Sequence, residues 1–556
     1  MQTHQLAPDL SISAQILPQE LAAISEAGFQ SIICNRPDGE GGDQPLFAEI
    51  ERAAKALGMR AHYLPAEPGK VSDEQGIAFG QLLARLPKPV LAYCRTGMRS
   101  TTMWALSQAN QQSLPHIMEA AKKAGFDLQG VVRRILNHGR TPLDAAEVAH
   151  AVVIIGGGAA GIATASSLLA RCPDLDVAII DPADVHYYQP GWTLVGAGIF
   201  DAPQTAHTMA STIPRGAHWI KSAVAAFEPE RNAVILDGCR IVRYEQLVIC
   251  PGLKLDWHAI DGLPETLGRN GVTSNYLYHL APYTWDLVQS LRAGRAIFTQ
   301  PPMPIKCAGA SQKAMYLSAD HWKRHGVLGQ IKVEFCSAGA VLFGVADYVP
   351  ALMEYIDAYA VDLNFGHTLV SVNGPAKIAT FSRTGADGGR QLVERPFDLL
   401  HVVPPQVAPD FIRVSTLADA AGWLDVDPAT LQHRVWSNIH ALGDVANTAN
   451  AKTAAAARKQ GPVVAHNVLA ALGRAAGSAH YDGYGSCPLT VERGKIVLAE
   501  FTYGGKLAPS LPTWFIDGTR PSRLAWLLKE RILPPLYWRG MLKGREWMAK
   551  PELADQ

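Results

Sequence analysis

The sequence predicts an α/β protein built from several domains, and two observations support this prediction. At 556 residues the chain is too long for a single hydrophobic core. Short apolar stretches alternate with helical patterns, near the N-terminus at 31–34, 61–64 and 90–93 and again at 151–155 and 177–180. This alternation is typical of parallel sheets covered by helices.

Composition narrows the classes of function. Hydrophobic residues make up 48% of the chain, and 50 basic residues balance 50 acidic ones, so the chain lacks the basic field of a nucleic-acid-binding protein. Eight cysteines form neither a disulfide framework nor a repeated C-x-x-C motif, and no metal site is predicted. No signal-peptide pattern follows Met1, and no apolar run is long enough to span a membrane. We therefore expect a reducing, cytosolic compartment, with peripheral membrane contact left open.

The strongest local motif is a glycine-rich loop. The apolar stretch 151–155 leads into Gly156-x-Gly158-x-x-Gly161, a helical pattern follows, and the next apolar stretch ends at Asp181. Glycines at this spacing allow a tight turn and a close approach of a pyrophosphate to a helix N-terminus, and the acid can accept hydrogen bonds from ribose hydroxyls. The motif predicts dinucleotide binding but does not separate FAD from NAD.

A cysteine stands where a second glycine-rich loop is expected. The stretch 304–310, Pro-Ile-Lys-Cys-Ala-Gly-Ala, lies between an apolar strand pattern at 295–299 and a helical pattern at 312–322. Neither this stretch nor the one at 336–339 has the glycine spacing of an NAD(P)H site. We therefore predict that the thiol of Cys307 is held over a bound flavin and passes electrons to it from a sulfur substrate.

A second reactive cysteine is predicted near the N-terminus. The apolar stretch 90–93 runs into Cys94-Arg-Thr-Gly-Met-Arg99-Ser, and a helix is expected from Thr101. Backbone N–H groups at the helix start and the guanidinium of Arg99 would face Cys94 and stabilise a thiolate. The alternative is a buried structural cysteine in a turn.

Residues 5–110 resemble a small bacterial family of phosphatase-like domains now mostly labelled sulfur transferases. The resemblance rests on Asn-Arg-Pro-Asp at 35–38 and on the loop from Cys94 to Arg99. Four residues separate that cysteine and arginine, as in rhodanese-type sulfurtransferases, whereas protein tyrosine phosphatases usually have five. The resemblance therefore implies a persulfide on Cys94. If phosphatase chemistry survives, Asp38 is the candidate general acid, and its alternative role is that of a turn residue.

Residues 150–545 resemble sulfide:quinone oxidoreductases of the mitochondrial type. The motifs that carry the resemblance lie at 186–196, 213–214, 219–221, 304–310, 442–444, 452–456 and 481–489. The resemblance implies FAD, a sulfide or low-molecular-weight thiol or persulfide substrate, and a quinone as electron acceptor. It also implies that Gly443-Asp444 contacts the flavin phosphate or ribityl chain, and that Lys452-Thr453 opens a helix directed at the flavin. The alternatives are a plain Gly-Asp turn and a surface lysine.

The sequence departs from this family at one catalytic position. In the resembling enzymes a second redox cysteine directly follows the Gly-Asp pair, and here that position is Val445. We expect that Cys307 acts alone or that the substrate is already a thiol or persulfide. Cys336, Cys250 and Cys487 could substitute, but nothing in the sequence positions any of them.

The C-terminal stretch 511–550 interleaves apolar and aromatic residues with basic ones, and Pro534-Pro535 is expected to divide it into two helical pieces. This pattern predicts an interfacial segment lying on an anionic membrane. The alternative is an amphipathic helix packed on its own domain or on a partner subunit, and a homo-oligomer stays open.

Together these features predict a phosphatase-like α/β domain followed by a two-Rossmann-domain, FAD-dependent flavoprotein of the pyridine-nucleotide-disulfide-reductase type, with a C-terminal amphipathic membrane-binding region. The expected segments are 1–110, a helical linker at 111–147, a FAD-binding part at 148–290, a second Rossmann-like part at 291–400, a FAD-binding return at 401–480 and a quinone-facing region at 481–556.

The predicted function is bifunctional: oxidation of a sulfur substrate at Cys307 with electrons passing to quinone, and sulfane-sulfur transfer through Cys94. It is placed in a bacterial cytoplasm, on the inner face of the inner membrane. The alternatives are a phosphatase-like hydrolase fused to a flavoprotein with another thiol substrate, and a non-catalytic FAD-binding redox sensor.

Overall fold

The computed structural model describes residues 2–42, 44–142, 147–384 and 389–553. The chain forms two compact units, and they do not follow the six predicted segments one for one. The first unit comprises Met1–Ala149, Ser222–Arg243 and Asp410–Thr416, and the second comprises His150–Lys221, Tyr244–Pro409 and Leu417–Gln556. Parts of the predicted linker (143–146) and of the predicted C-terminal region (554–556) lie outside the described residues.

The first unit is built on a five-stranded sheet. Its strands, in spatial order, are Thr3–Ala7, Leu10–Ser13, Val90–Tyr93, Ser31–Cys34 and Arg60–Tyr63. The first two strands pair antiparallel and the other neighbours pair parallel. The central strand Val90–Tyr93 is buried along its whole length, as expected of a parallel strand covered on both faces. Cys94 follows directly at the carboxyl end of this strand.

Helices complete the core of this unit. They are Leu21–Glu26, Phe47–Ala56, Asp73–Arg85, Met98–Gln108, Leu114–Lys123, Val132–Leu136 and Asp410–Arg413. The hairpin Val224–Glu228 and Ala233–Leu236 also belongs here. The helices of the predicted linker bury Ile117, Met118 and Ile135 in the same core as Trp104. Residues 114–136 therefore pack as part of the first unit.

The second unit contains two sheets of parallel strands. The first has Ala217–Ile220, Val177–Ile180, Glu147–Ile155, Ile241–Ile249 and Ile439–Ala441 in that order, with the helices Ala159–Arg171 and Ala454–Ala471 packed together beside it. The second has Val272–Thr273, Leu399–His401, Gly294–Gln300, Ile331–Ser337 and Asp362–Phe365, with the helices Ala281–Ser290, Ala310–Arg324 and Val349–Ala358. This is the two-Rossmann arrangement that the sequence predicts.

Smaller antiparallel elements and short helices join these sheets. The antiparallel strands are His367–Asn373, Ile378–Thr384 and Arg390–Pro396, and the pairs Val185–Tyr187 with Ala206–Thr208, Lys254–Leu255 with Gln406–Val407, and Ala479–His480 with Glu552–Leu553. The short helices are Trp192–Val195, Met209–Thr212 and Leu263–Thr266.

Near the C-terminus, the hairpin Gly485–Glu492 and Lys495–Phe501 packs on the helix Ala310–Arg324. The prediction that Pro534-Pro535 divides the C-terminal segment is wrong. Helical structure runs from Arg523–Leu527 through a π turn, Leu528–Ile532, into Leu533–Arg539. The prolines lie where this last helix begins, and the wider π turn preceding them accommodates residues that lack an N–H donor. Among the described residues, no helix is both long and apolar enough to cross a membrane.

Candidate active site

The glycine-rich loop has the shape that a dinucleotide needs. A Cβ on Gly156, whose φ is +105°, would lie 2.5 Å from the carbonyl oxygen of Cys250, and a Cβ on Gly161 would collide with the carbonyl oxygen of Gly156. A Cβ on Gly158 would meet nothing within 4 Å, so open space remains at the N-terminus of the helix Ala159–Arg171. The residues therefore fit a pyrophosphate at this helix end.

Asp181 and Cys250 support the same loop. Asp181 accepts hydrogen bonds from the N–H groups of Gly157 (2.6 Å) and Ala183 (2.8 Å), which fixes its carboxylate beside the loop. Cys250 is buried, its thiol lies 3.8 Å from the carbonyl oxygen of Gly156, and burial raises its pKa. Cys250 is therefore a packing residue of the glycine loop and does not replace the missing cysteine.

Two alanine variants of the loop should separate folding from cofactor binding. Gly161→Ala should cost about 1–3 kcal/mol of stability, because its methyl group would overlap the carbonyl oxygen of Gly156. Gly158→Ala should keep the wild-type melting temperature but lower the ratio of flavin to protein absorbance, because its methyl group enters the open space. Wild-type flavin content in Gly158→Ala would place the cofactor elsewhere.

The backbone at Cys307 is held in an unusual conformation. Its φ is +47°, in the left-handed region that costs a residue other than glycine about 1–2 kcal/mol. The Cys307 N–H donates to the carbonyl oxygen of Lys452 (2.9 Å), and the Tyr276 hydroxyl donates to the carbonyl oxygen of Lys306 (2.9 Å). These bonds fix the position of the thiol, as expected of a functional residue.

Cys487 lies next to Cys307. The two sulfur atoms are 3.7 Å apart, and both cysteines are free. The hairpin Gly485–Glu492 brings Cys487 to this position because Gly309 lacks a side chain: a Cβ there would lie 2.7 Å from the Cys487 sulfur. Closing a disulfide, with its S–S bond of about 2.05 Å, needs a movement of less than about 2 Å. The expectation that nothing positions a replacement for the missing cysteine is therefore corrected.

Lys313 helps to give the two thiols different pKa values. Its ammonium group donates to the Cys307 sulfur at 3.1 Å, from the first turn of the helix Ala310–Arg324. The hydrogen bond from Cys487, together with the positive charge of Lys313, lowers the pKa of Cys307 well below that of an ordinary thiol. The same sulfur–sulfur hydrogen bond and burial raise the pKa of Cys487. These opposite shifts favour the thiolate on Cys307 and the thiol on Cys487.

Lys529 adds a second cation to this pair. The sequence grouped it with the membrane-facing basic residues, but the structure leaves it only 5% exposed. Burial and the neighbouring charge of Lys313 lower the pKa of Lys529 to about 7, and the charge of Lys529 in turn helps to lower the pKa of Cys307. Its placement at a membrane surface is therefore wrong, because the side chain faces the interior of the second unit.

The loop at Gly443-Asp444 is tied to the Cys307 loop by Lys452. This lysine is 5% exposed, donates to the carbonyl oxygens of Asp444 (2.8 Å) and Ala446 (2.7 Å), and lies 4.4 Å from the ring centre of Trp423. The alternative of a surface lysine is therefore wrong. The N–H of Gly443 donates to Gln460, while the Asp444 carboxylate makes no hydrogen bond or ion pair with any described residue. That carboxylate is available to a cofactor.

Three other predicted residues have structural roles. Thr453 caps the helix Ala454–Ala471, since its hydroxyl accepts from the N–H of Ala456 at 3.2 Å. Val445 is fully buried, so an apolar side chain fills the position where the resemblance implies a second redox cysteine. Cys336 lies inside the strand Ile331–Ser337, where burial raises its pKa to about 12. Neither Val445 nor Cys336 can contribute a reactive thiol.

The predicted Cys94 loop forms in the first unit with one unexpected partner. The Cys94 sulfur is buried and accepts the N–H of Gly97 at 3.1 Å. The Arg99 guanidinium binds both carboxylate oxygens of Glu40, at 2.7 and 2.9 Å. Although burial opposes its charge, Glu40 and the nearby Cys94 sulfur raise the pKa of Arg99. Asp38 accepts from the N–H of Phe47 at 2.8 Å, which supports its role as a turn residue.

Comparisons with known proteins agree with this architecture. A model of the phosphatase-like domain of beta-lactamase hydrolase-like proteins matches residues 2–111, and a model of pyridine nucleotide-disulphide oxidoreductases matches residues 150–284. The second unit is thus a flavoprotein-type oxidoreductase of the pyridine nucleotide-disulphide class.

Individual relatives identify the family to which the chain belongs. It is 41% identical to a mitochondrial sulfide:quinone oxidoreductase of Dictyostelium discoideum, covering 72% of this chain and 88% of the relative. It is 37% identical to the one of Mus musculus, covering 71% and 86%. The chain belongs to the sulfide:quinone oxidoreductase family. The X-ray structure of the Aquifex aeolicus enzyme shares the fold, with a TM-score of 0.60 and 19% identity over 73% of this chain and 98% of that one.

Proposed function

We propose that this chain oxidises sulfide with FAD and passes the electrons to a quinone, and that Cys307 and Cys487 form its redox pair. The observation that carries the proposal is the sulfur–sulfur distance of 3.7 Å beside the Lys313 ammonium group, 3.1 Å from Cys307. Membership of the sulfide:quinone oxidoreductase family supports the substrate and the acceptor. Gly156, Gly158, Gly161, Asp181, Gly443 and Asp444 would hold FAD, with Lys452 and Thr453 supporting their loop.

FAD, when bound, supplies an acceptor for two electrons from the cysteine pair. In its disulfide form the pair is opened by hydrosulfide. Attack at the Cys487 sulfur breaks the Cys307–Cys487 bond, forms a persulfide on Cys487 and releases the Cys307 thiolate. This direction is favoured because a thiol of lower pKa is the better leaving group, and Lys313 stabilises the charge it acquires.

A thiol acceptor then completes the cycle. Its thiolate takes the outer sulfur of the Cys487 persulfide and leaves as a new persulfide, while Cys487 becomes a thiol again. The Cys307 thiolate and the Cys487 thiol then return to a disulfide by giving up two electrons and one proton. In sum, H₂S and one thiol become one persulfide, two electrons and two protons. Whenever the disulfide is open, the low pKa of Cys307 favours its thiolate, next to Lys313 and Lys529.

A direct assay tests this function. Purified protein loaded with FAD is mixed anaerobically with sulfide and a short-chain quinone, and quinol is measured. Quinone reduction should depend on sulfide, and NADH should not replace sulfide. Reduction by NADH at a rate equal to that with sulfide would overturn the proposal, as would a flavin that sulfide does not bleach.

Peripheral membrane contact, on the cytoplasmic face of a bacterial membrane, belongs to the same proposal. Exposed apolar side chains concentrate near the C-terminus: Trp514 (85% exposed), Phe515, Leu524, Leu527, Ile532 and Trp547. Side chains of this kind next to basic residues fit an interface with anionic lipid, from which a quinone can be drawn.

Removing two of these aromatic rings should weaken membrane binding. Trp514→Ser combined with Phe515→Ser should lower binding to anionic liposomes by at least about tenfold, because the variant loses the two aromatic side chains that would be buried in the lipid. Liposome flotation measures the change. Val435→Ser is the control, because Val435 is 73% exposed outside the C-terminal segment and its loss should change nothing. If flotation is unaffected while the double variant alters the oligomeric state, the segment packs on a partner subunit.

We further propose that Cys94 carries sulfane sulfur made by the second unit. Both sites belong to one chain, which raises the effective concentration of the intermediate. The loss of persulfide-to-thiol transfer in Cys94→Ser, with sulfide oxidation intact, would support this role.

A further inference from the structure

The Cys94 loop holds a carboxylate where an oxyanion would bind. Arg99 follows Cys94 by five positions, and its guanidinium forms two parallel bonds to Glu40, at 2.7 and 2.9 Å. A third bond runs from Nη1 of Arg99 to the carbonyl oxygen of Ala66 (2.7 Å). An arginine typically binds a carboxylate, sulfate or phosphate through two parallel N–H···O hydrogen bonds. In this chain the paired donors of Arg99 are already used by Glu40.

A second arginine, Arg36, also binds the Glu40 carboxylate. Arg36 donates to Glu40 at 2.6 Å through Nε and to the side chain of Gln15 at 3.0 Å through Nη1. The Arg36, Arg99 and Glu40 side chains are 7%, 8% and 13% exposed, so water screens the cluster little. Arg99 and Arg36 hold the pKa of Glu40 below its usual range. Glu40 is therefore an ionised, buried part of the site.

The net charge of the side chains around Cys94 indicates which substrates the site can accept. Arg36 and Arg99 contribute two positive charges and Glu40 one negative charge, so the cluster is left with one net positive charge. A single negative charge on the Cys94 sulfur, or on a persulfide attached to it, balances this. A dianion such as thiosulfate or a phosphate monoester would leave excess negative charge and would lie against the Glu40 carboxylate, which is costly in a buried site.

We infer that Cys94 accepts sulfur from a low-molecular-weight persulfide and takes neither thiosulfate nor phosphate monoesters, because Glu40 occupies the oxyanion position on Arg99. This inference rests on the proposed sulfur-carrying role of Cys94 and names its donor. In the step, the Cys94 thiolate attacks the outer sulfur of R–S–SH. The bond between the two donor sulfurs breaks, R–S⁻ leaves, and Cys94–S–SH forms without any net oxidation.

The test uses the full chain with FAD and measures persulfide on the tryptic peptide that contains only Cys94. Wild-type protein is treated with glutathione persulfide or with thiosulfate at equal concentration, and hydrolysis of p-nitrophenyl phosphate is followed separately. Glutathione persulfide should load Cys94 at least about tenfold more than thiosulfate. Equal loading from thiosulfate, or phosphatase activity that Cys94→Ser abolishes, would overturn the inference.

Variants of Glu40 identify the cause of the selectivity. Glu40→Gln should raise thiosulfate loading at least about tenfold, because the carboxylate charge is removed while the amide can still accept one hydrogen bond. Glu40→Asp keeps the charge and should stay selective. Glu67→Gln is the control, since Glu67 pairs with Lys70 on an exposed surface. If Glu40→Gln is folded and as selective as wild type, Glu40 is not the cause.

The donor is added from outside, so the measurement does not depend on sulfide oxidation. If sulfide fails to bleach the flavin but the Cys94 preference holds, the proposed function of the second unit is wrong and the inference stands. If the flavin is bleached and Cys94 loads equally from both donors, the inference alone fails.

Discussion

Replacing Cys307 with serine should abolish bleaching of the flavin by sulfide, with a loss of at least about 1,000-fold in the rate, and Cys487→Ser should lose at least about 100-fold. The first change removes the low-pKa thiolate, and the second removes the sulfur that lies 3.7 Å from it. Stopped-flow absorbance under anaerobic conditions gives the rates. Both variants should keep wild-type flavin content, since neither cysteine belongs to the glycine loop.

A readout that needs no turnover supports the same prediction. Mild oxidation of wild-type protein should link the Cys307 and Cys487 peptides by a disulfide, which mass spectrometry without reductant detects. Cys172→Ser serves as the control, because Cys172 lies at the end of the helix Ala159–Arg171, bound to Arg474 and Asp174. A Cys487→Ser enzyme that oxidises sulfide at the wild-type rate would show that Cys307 acts alone, which is one of the two outcomes expected from the sequence.

Lys313→Met should slow sulfide oxidation about 10-fold to 100-fold near neutral pH, because loss of the ammonium charge raises the pKa of Cys307. The sign follows from the lowered pKa of Cys307: Lys313 keeps the thiolate populated at low pH, so its loss moves the acid limb of the rate profile to higher pH. The alkylation rate of Cys307 with iodoacetamide, followed against pH, measures that shift directly.

Lys323→Met is the matched control, because Lys323 lies on the same helix but is exposed, with its ammonium group 5.4 Å from the ring centre of Tyr359. Its alkylation profile should match that of wild type. An unchanged profile in Lys313→Met would mean that the hydrogen bond from Cys487 alone sets the pKa of Cys307.

Features that depend on neighbours in sequence could be predicted, and those that depend on distant chain segments could not. The glycine loop with Asp181 and the Cys307 loop lie at strand-to-helix junctions, where local patterns are informative. Cys307 and Cys487 are 180 positions apart and meet only because a hairpin packs over Gly309. Cys487 does fall within the matching motif at 481–489, which is the one signal that could have singled it out.

The burial of polar residues could not be predicted for a related reason. The helix Ala310–Arg324 buries nearly every side chain, so no polar face distinguishes Lys313 from a surface lysine in the sequence. Glu40 likewise lies in a run of Gly, Asp and Glu that is typical of an exposed turn, and only the folded structure brings it to Arg99. Lys313 pairs with the Cys307 sulfur six positions before it, and Glu40 pairs with Arg99 59 positions after it; hydrophobic periodicity reports neither pairing.

The position of Lys529 bears on how membrane attachment should be studied. The helical segment that presents Leu524 and Ile532 to solvent also carries this lysine into the thiol site. Deleting residues 511–556 would therefore remove a charge that lowers the pKa of Cys307 along with the proposed lipid-binding surface, so loss of activity in the truncated enzyme would not test membrane binding. Conversely, if this segment moves when it docks on a membrane, the distance between Lys529 and Cys307 changes. Vesicles of differing lipid charge should therefore alter the pKa of the Cys307 thiol.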